Sequence, residues 1–396
     1  MKSSLIKKYE RHILVKILNY SFQEQGEKMK KKIHRIGIMT SGGDCSGLNT
    51  AIRAVTFAAV SKGWEVYGIH KGSKGLILRP MEYQRLTIIS FEFPYATLGG
   101  TMLGTNNSPI MTYDNGKPVA MDEATMNKRF KEAVEKLKLD ALVVIGGDVS
   151  IPIIANLCKY AHISMIGIPK TIDNDAPGTD LAIGFSTARE VVMDAMDKLD
   201  TTATSHQRVM LVEVMGRTAG HLALQSAITG FADAVLIPEI PYSYSALVKH
   251  LKAIQRRGRE HSLVVIAEGI KRPDGKYSLQ TDGYHYKGVS QYFEERLTKD
   301  GFSVRANILG HIQRAGTPVA ADRLLASAFG VHAVELLAKG KTNRVVVHAK
   351  GEVSDISLKE SLARGTTQVN PKGEIVKVAQ SLGIYVGEVN QKKKGK

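Results

Sequence analysis

Short β-branched and aliphatic runs alternate with helical patterns along most of this 396-residue chain. Strands that are apolar throughout and joined by helices are typical of parallel sheets covered on both faces, because each crossover lays a helix against the sheet. In chain order, the predicted strands are 33–39, 65–69, 141–145, 164–168, 209–214, 234–237, 263–267 and 304–309. These are too many for one small sheet, so the sequence predicts an α/β protein with two lobes and with ligands at the carboxyl ends of the strands. Thr187 and Glu190 form a capping-box pattern that predicts the start of a helix.

The composition excludes fibrous, disulfide-rich and membrane-spanning proteins. Hydrophobic residues make up 43% of the chain and charged residues 23%, which is typical of a globular protein. No run of 18 apolar residues occurs, so we expect no membrane partner. Cys45 and Cys158 cannot form a disulfide framework, and two free thiols suit a reducing compartment. We therefore predict a cytoplasmic location.

The net charge of +16 would suit a nucleic-acid-binding protein, but its distribution argues against that function. Residues 1–35 carry a net +7, and four further lysines lie in the last five residues. We predict a basic N-terminal extension over 1–32 and a basic C-terminal tail over 385–396, both solvated. Met29 precedes the first strand and is an alternative start of translation. The body between the tails is only moderately basic, which suits anionic substrates better than nucleic acid.

Glycine-rich loops follow several of the predicted strands. The sequence Gly-Gly-Asp occurs at 42–44 and again at 146–148, each time between a strand and a helix. Glycines let a phosphate approach the backbone closely, and a helix N-terminus favours an anion. A carboxylate after paired glycines suits Mg²⁺, and capping of the next helix is the alternative for Asp148. A third stretch, 99–107, either cradles a phosphate or only connects two elements.

The segment 169–175 reads Pro-Lys-Thr-Ile-Asp-Asn-Asp and follows another predicted strand. A hydroxyl nucleophile needs a proton acceptor within hydrogen-bond reach, and Asp173 or Asp175 can serve. A turn formed by Asx residues is the alternative. Basic side chains lie near the ends of further strands, and arginine recognises phosphate through its planar fork. These side chains are Arg208, Arg217, Arg305, His311 and Arg314.

Together these motifs resemble, in order, those of the 6-phosphofructokinases. The matching segments are 40–44, 146–148, 169–175, 215–217, Glu268 and 309–314, and the resemblance covers about residues 33–350. It implies two Rossmann-like lobes, with parallel-rich sheets flanked by helices and the active site in the cleft between them. It also implies Mg²⁺-dependent phosphoryl transfer to the 1-hydroxyl of fructose 6-phosphate, giving fructose 1,6-bisphosphate in glycolysis. The segment 201–217 looks like that of the mixed branch, whose donor is ATP or pyrophosphate.

The resemblance also assigns roles to residues. It implies that Asp173 is the general base, that Lys170 and Thr171 act beside it, and that Asp148 holds the metal. The implied donor-binding residues are Gly43, Gly104, Asn107, Gly147, Asp148 and Ser150. The implied sugar-phosphate-binding residues are Thr171, Asp173, Met215, Gly216, Arg217, Glu268, His311 and Arg314. Arg208 and Arg305 are implied to reach in from a neighbouring subunit, so a homo-oligomer, dimer or tetramer, with shared active sites is expected.

The implied lobes divide the chain at residue 184. The donor-binding lobe covers 33–184 and is completed by about 313–360, and the fructose 6-phosphate-binding lobe covers 185–312. The nearest rival functions are another kinase with a Gly-Gly-Asp loop, such as an NAD or lipid kinase, and a non-catalytic homologue that binds sugar phosphate. The former lack the 169–175 and 309–314 motifs.

Two departures from the family pattern bear on the phosphoryl donor. Asn107 stands where ATP-dependent bacterial enzymes carry an arginine, and Val149 stands where the family carries Gly or Asp. Valine is nearly isosteric with Asp but uncharged, so we expect Val149 to crowd a nucleotide without repelling its phosphates. Lys170 is able to supply the cation that Asn107 lacks. Shape favours pyrophosphate and the breadth of the family favours ATP, so the donor stays open at this point.

Overall fold

The computed structural model describes residues 33–91, 94–114, 117–271 and 288–388. These residues form a seven-stranded sheet, a four-stranded sheet and a separate pair of strands, with helices packed on the two larger sheets. The predicted extension 1–32 lies outside the described residues, as does 389–396 of the predicted tail. Within the described part of the chain, none of the helices has the length and apolarity needed to span a bilayer.

The strands are β1 (Arg35–Thr40), β2 (Glu65–Ile69), β3 (Tyr83–Leu86), β4 (Met111–Asp114), β5 (Lys117–Ala120), β6 (Ala141–Gly146), β7 (Ser164–Pro169), β8 (Val209–Val214), β9 (Ala234–Leu236), β10 (Ser262–Ala267), β11 (Val304–Ile308), β12 (Arg344–Ala349) and β13 (Glu352–Ser357). The helices are α1 (Leu48–Val60), α2 (Lys74–Ile77), α3 (Glu123–Leu137), α4 (Ser150–Tyr160), α5 (Phe185–His206), α6 (His221–Thr229), α7 (Tyr244–Arg256), α8 (Val289–Lys299), α9 (Ala320–Ala338), α10 (Leu358–Arg364) and α11 (Glu374–Ser381).

The seven-stranded sheet has the order β13-β12-β7-β6-β1-β2-β3. Its five inner strands run parallel, and the edge strands β13 and β3 run antiparallel to their neighbours. Strand β6 is buried along its whole length, because helices cover both faces of the sheet. The loops after β1, β6 and β7 therefore emerge side by side at one edge.

The four-stranded sheet has the order β11-β8-β10-β9 and is parallel throughout. Its central strands β8 and β10 are fully buried. All eight predicted strands are confirmed to within two residues, and the two-sheet α/β class is confirmed with them. Strands β3, β4, β5, β12 and β13 were not predicted, and most of them are edge or hairpin strands with polar residues.

The capping-box prediction is wrong. Helix α5 begins at Phe185, directly after Gly184, so Thr187 lies inside its first turn. The hydroxyl of Thr187 donates to the carboxylate of Asp322 at 2.6 Å instead of capping its own helix. A partner from a distant helix has displaced the local hydrogen bond on which the pattern depends.

Asp322, in the first turn of α9, is completely buried and caps α5 from outside. Its Oδ1 accepts the backbone N–H of Gly184 at 3.0 Å, and its Oδ2 accepts the N–H of Thr187 at 2.7 Å. Thr187 Oγ1 in turn accepts the N–H of Val319 at 3.1 Å. Burial raises the pKa of Asp322, while these hydrogen bonds oppose the rise. The carboxylate thus fixes the end of the segment 170–183 that leads into α5.

We predict that Asp322→Ala lowers the free energy of unfolding by about 3 kcal/mol, because three donors lose their buried acceptor. Urea unfolding followed by circular dichroism measures the change. Ser61→Ala is the control: the Ser61 hydroxyl donates to Ala58 O at 2.9 Å on an exposed turn, and its loss should cost less than about 0.5 kcal/mol. Equal unfolding midpoints for the two variants would contradict the prediction.

Candidate active site

The glycine-rich loops after β1 and around residue 105 face each other. The N–H of Gly42 donates to Asn106 O at 3.0 Å, and the hydroxyl of Thr105 donates to Gly42 O at 2.6 Å. Gly42 has a φ of 88°, and a Cβ there would lie 2.6 Å from Ser150 Oγ and 3.0 Å from Lys170 Nζ. Glycine is therefore required where the loops after β1, β6 and β7 converge.

Lys170 is a buried cation at the edge of the sheet where these loops converge. Its ammonium donates to Gly43 O, and its backbone N–H donates to Gly146 O at 3.0 Å. Burial lowers the pKa of Lys170, and the carboxylates of Asp148 and Asp173 act against that shift. The ammonium therefore ties the predicted base segment to the loop after β1 and interacts electrostatically with both carboxylates.

Asp148 lies at the end of β6 with a partly exposed carboxylate, and its Oδ1 is 3.9 Å from Arg217 of the other lobe. Helix α4 begins at Ser150, and Val149 occupies its N-cap position without a side-chain cap. Asp148 therefore does not cap α4, which leaves its carboxylate available at the cleft. Val149 is 38% exposed beside it.

The remaining predicted donor-side residues lie nearby. Gly104 has a φ of 64°, and its carbonyl accepts the Thr40 hydroxyl at 2.7 Å. Asn107 is exposed, and its Oδ1 accepts the Ser108 hydroxyl at 3.3 Å. The structure thus brings the 104–107 stretch to the same edge as the two Gly-Gly-Asp loops.

Asp173 is 4% exposed, and its buried Oδ1 has no hydrogen-bond partner among the described residues. Burial raises the pKa of Asp173 to about 6, although the nearby guanidinium groups of Arg314 and Arg217 lower it. Burial likewise raises the pKa of Asp175 to about 7, and its Oδ1 accepts the Thr171 hydroxyl at 3.4 Å. An unpaired carboxylate oxygen with a pKa near neutrality is suited to accept a proton.

Asn174, between the two carboxylates, holds this segment in shape. It is buried with a φ of 53°, its Nδ2 donates to Asp180 O at 3.0 Å, and its Oδ1 accepts the N–H of Ala182 at 2.9 Å. The sequence analysis missed this role. The available signal was the residue type, because asparagine tolerates the left-handed region better than other non-glycine residues.

In the four-stranded sheet, β10, β8 and β11 lie side by side, and a loop follows the carboxyl end of each. Arg217, after β8, has a φ of 50°, and its N–H donates to Glu268 Oε1, after β10, at 2.8 Å. A Cβ at position 269 would lie 1.8 Å from Arg217 O, so Gly269 is required for this approach. Burial raises the pKa of Glu268.

Arg314, after β11, crosses to the first lobe. Its guanidinium donates to Asp44 O at 3.0 Å, and a Cβ on Gly43 would lie 2.8 Å from its Nη1. This predicted sugar-phosphate residue therefore touches the loop after β1, which is predicted to bind the donor. His311 lies on the same short turn, Gly310–Arg314, and is exposed. The loop after β11 thus connects the two walls of the cleft.

Arg208 and Arg305 are the predicted site residues that the structure does not bring to this cleft. They lie at the amino ends of β8 and β11, whereas Arg217 and Arg314 follow the carboxyl ends. A strand rises about 3.3 Å per residue, so the ends of six-residue β8 are roughly 17 Å apart. Arg208 Nε is buried without a hydrogen-bond partner among the described residues, and Arg305 is exposed.

The phosphofructokinase family profile matches residues 35–337 of the chain. The chain belongs to the phosphofructokinase family. Its similar relatives include the ATP-dependent 6-phosphofructokinase 1 of Nostoc sp., 43% identical over 366 residues that cover 90% of this chain and 99% of the relative. The ATP-dependent 6-phosphofructokinase of Chloroflexus aurantiacus is 40% identical over 361 residues, covering 91% and 99%.

Solved structures of the family share the fold. Phosphofructokinase from Saccharomyces cerevisiae aligns with a TM-score of 0.71 at 27% identity, over 88% of this chain and 47% of the yeast chain, so this chain spans about half the yeast length. A pyrophosphate-dependent phosphofructokinase from Nitrosospira multiformis aligns with a TM-score of 0.72 at 19% identity, covering 91% and 94%. That second likeness concerns the fold alone. Membership of the family rules out the rival NAD or lipid kinase.

The two glycine positions of the cleft should respond differently to a methyl group. Gly42→Ala places a Cβ in a left-handed conformation against Ser150, which should cost about 1–2 kcal/mol of unfolding free energy. At Gly147 a Cβ meets only Lys170 O at 3.4 Å, so Gly147→Ala should cost less than about 0.5 kcal/mol. Urea unfolding of both variants checks the contrast, and a larger loss for Gly147→Ala would refute it.

Proposed function

We propose that this chain is an ATP-dependent 6-phosphofructokinase that transfers a phosphoryl group from ATP to the 1-hydroxyl of fructose 6-phosphate. The observation that carries the proposal is the buried, unpaired Oδ1 of Asp173, which lies in a cleft lined by Arg217, Arg314 and Lys170. A proton acceptor surrounded by cations suits phosphoryl transfer, which depends on placement and charge neutralisation.

Asp173 acts as the general base in this proposal. Its pKa of about 6 leaves the carboxylate ionised at pH 7 yet close enough to that pH to accept the proton of a sugar hydroxyl. Its backbone N–H donates to the Thr171 hydroxyl at 3.0 Å, which orients the segment. Lys170 neutralises charge on the donor side, where its ammonium already lies against the loop after β1.

The sugar phosphate binds at the loops after β8, β10 and β11. Arginine pairs with phosphate through two parallel hydrogen bonds, and the exposed Arg217 guanidinium lies at the mouth of the cleft. The proposed contacts are Thr171, Met215, Gly216, Arg217, Glu268, His311 and Arg314. Because Arg314 already touches Asp44 O, we expect it to link the two substrates.

The donor phosphates bind at the opposite wall, near Gly43, Gly104, Asn107, Gly147 and Ser150. The residues present fit a metal that is carried by the donor, because the partly exposed Asp148 carboxylate lies at the end of β6, beside these loops. Mg²⁺ typically keeps waters and binds one or two carboxylates together with substrate phosphates, and Asp148 would supply the carboxylate. Bound there, Mg²⁺ would neutralise charge on the transferring phosphoryl group.

ATP is the donor that the relatives support. Both relatives described above are ATP-dependent, and their alignments with this chain cover 99% of each relative. The likeness to a pyrophosphate-dependent enzyme is one of fold alone. We then expect the crowding by Val149 to lower kcat/KM for ATP without making pyrophosphate the preferred donor. The 38% exposure of Val149 at the start of α4, beside Asp148, supports this proposal.

We further propose a homo-oligomer, dimer or tetramer, with shared sites. Arg208 and Arg305 lie at the ends of their strands that are far from the cleft of their own chain. They therefore contribute either to the active site of a second chain or to no active site. Sedimentation of the purified chain tests the assembly. The lobes 33–184, completed by about 313–360, and 185–312 are proposed to bind donor and sugar phosphate respectively, and a cytoplasmic location stays a prediction from the cysteine content.

The function is tested by assaying the purified chain with fructose 6-phosphate, Mg²⁺ and ATP. Asp173→Ser should lower turnover by roughly 10²–10⁴-fold while fructose 6-phosphate still binds. A wild-type chain that binds fructose 6-phosphate without turnover would favour the non-catalytic homologue. Near-normal turnover of Asp173→Ser would remove Asp173 from the role of base.

The pH dependence tests the same residue independently. Because the pKa of Asp173 is raised to about 6 and the base must be ionised, kcat/KM should fall as the pH drops below about 6. The Glu268 carboxylate contributes to that raised pKa, so Glu268→Gln should move the acid limb to lower pH. The substrate phosphate also titrates near pH 6, but its pKa is the same for both enzymes. If the acid limb lies at the same pH in both enzymes, it reports the titration of the substrate phosphate and not that of Asp173.

The donor preference turns on Val149. If its side chain crowds the nucleotide, Val149→Gly should raise kcat/KM for ATP relative to pyrophosphate by at least about tenfold. Parallel assays with the two donors give the ratio, and Ile153→Ala, one turn further along α4, is the control for a change in the helix itself. Unchanged or poorer ATP use in Val149→Gly would show that residue 149 does not gate the donor.

A further inference from the structure

A buried glutamine joins two of the loops that form the proposed sugar-phosphate site. Gln313 is 1% exposed, although it lies on the turn after β11 between exposed Ile312 and half-buried Arg314. Its Oε1 accepts the N–H of Met215 at 3.1 Å, and its Nε2 donates to Gly310 O at 2.8 Å. One side chain therefore holds the backbone after β8 to the backbone after β11.

This connection begins where the sheet ends. The pairing of β8 with β11 finishes as Leu309 N donates to Glu213 O at 3.1 Å. Beyond that point the backbones separate, and Gly310 turns with a φ of 55°. The Gln313 carboxamide takes over the hydrogen bond that the sheet no longer provides to Met215.

A carboxamide satisfies both partners at every pH. Each partner is a backbone group, so the N–H of Met215 must donate and the Gly310 carbonyl must accept, which fixes the orientation of the amide. An ionised carboxylate has no donor for Gly310, and an apolar side chain has neither function. An apolar side chain would therefore remove the acceptor of the Met215 N–H and the side-chain donor to Gly310 O.

We propose that Gln313 is a positioning residue for fructose 6-phosphate: its carboxamide fixes the loop carrying Arg217 relative to the turn carrying His311 and Arg314. The proposal rests on the proposed function, because it assumes that these side chains hold the sugar phosphate. Glu268 holds the same loop from the β10 side. The Arg217 loop is thus fixed on both flanks, on one by a charged group and on the other by a neutral one.

A pair of variants separates positioning from general destabilisation. Gln313→Met keeps the approximate volume and removes both hydrogen bonds at every pH. Gln313→Glu removes the donor only while the new carboxylate is ionised, because a protonated carboxyl group both donates and accepts. Burial favours the protonated form, so its titration should fall at an accessible pH.

The measurements are the dissociation constant of fructose 6-phosphate by calorimetry and kcat/KM with ATP, both on the full chain at pH 6.5 and 8.5 and expressed relative to wild type. Gln313→Met should weaken both by about 10- to 100-fold at either pH, since small displacements of binding groups are costly. Gln313→Glu should match it at the higher pH and approach wild type at the lower pH. Thr56→Val, which loses a buried hydrogen bond of 2.8 Å within α1, should change neither quantity.

The outcomes distinguish the two proposals. Wild-type affinity in Gln313→Met overturns the positioning role, and so does a Gln313→Glu variant whose relative affinity is independent of pH. If Gln313→Glu fails to fold, the Gln313→Met result decides alone. A wild-type chain that neither binds nor phosphorylates fructose 6-phosphate overturns the proposed function and this inference with it. Binding without turnover overturns the function only, and the affinities still report on Gln313.

Discussion

The buried carboxylate of Asp322 is the interaction on which the arrangement of the cleft depends. It accepts hydrogen bonds from Gly184 and Thr187, at the point where the base segment becomes α5. Helix α5 leads into the second sheet, while α9, which carries Asp322, packs on α1 and the first sheet. A single desolvated carboxylate thus connects a helix that packs on the first sheet with the start of the helix that leads to the second. The segment that contains Asp173 ends at this connection. Removal of the carboxylate would loosen the base and the relation of the two walls together.

Parallel topology explains why the chemistry gathers on so few loops. In each sheet the central strands end at one edge, so residues far apart in sequence meet without any long connecting structure. The loops after the first sheet contribute glycines, Lys170 and carboxylates, and the loops after the second contribute Glu268 and the arginines. Arg314 reaches from the second to the carbonyl of Asp44 in the first. The two sheet edges are therefore in contact at this point, where the Arg217 guanidinium also lies 3.9 Å from the Asp148 carboxylate.

The sequence predicts buried apolar strands better than it predicts edge strands with polar residues or hydrogen bonds between residues far apart in the chain. Buried strands such as β6 were found because their runs are uniformly hydrophobic, whereas edge strand β13 carries alternating polar residues and escaped notice. The motifs identified the site because residue type and order carry that information. The hydrogen bond between Thr187 and Asp322 joins residues 135 positions apart, so no local pattern reveals it. Gln313 was passed over for a similar reason, since its role depends on a neighbouring strand.

The position of β12 in the first sheet has a consequence for synthesis of the chain on the ribosome. Within the described residues, strand β7 pairs with β6 on one side and with β12, which begins at Arg344, on the other. Roughly 175 residues separate β7 from β12, and at about 5–20 residues per second the apolar edge of β7 waits for roughly 10–35 s. An uncovered strand edge is a template for pairing with other chains. Nascent chains of this protein therefore pass through a period of exposure to self-association and to chaperones, which ends when the last strands emerge.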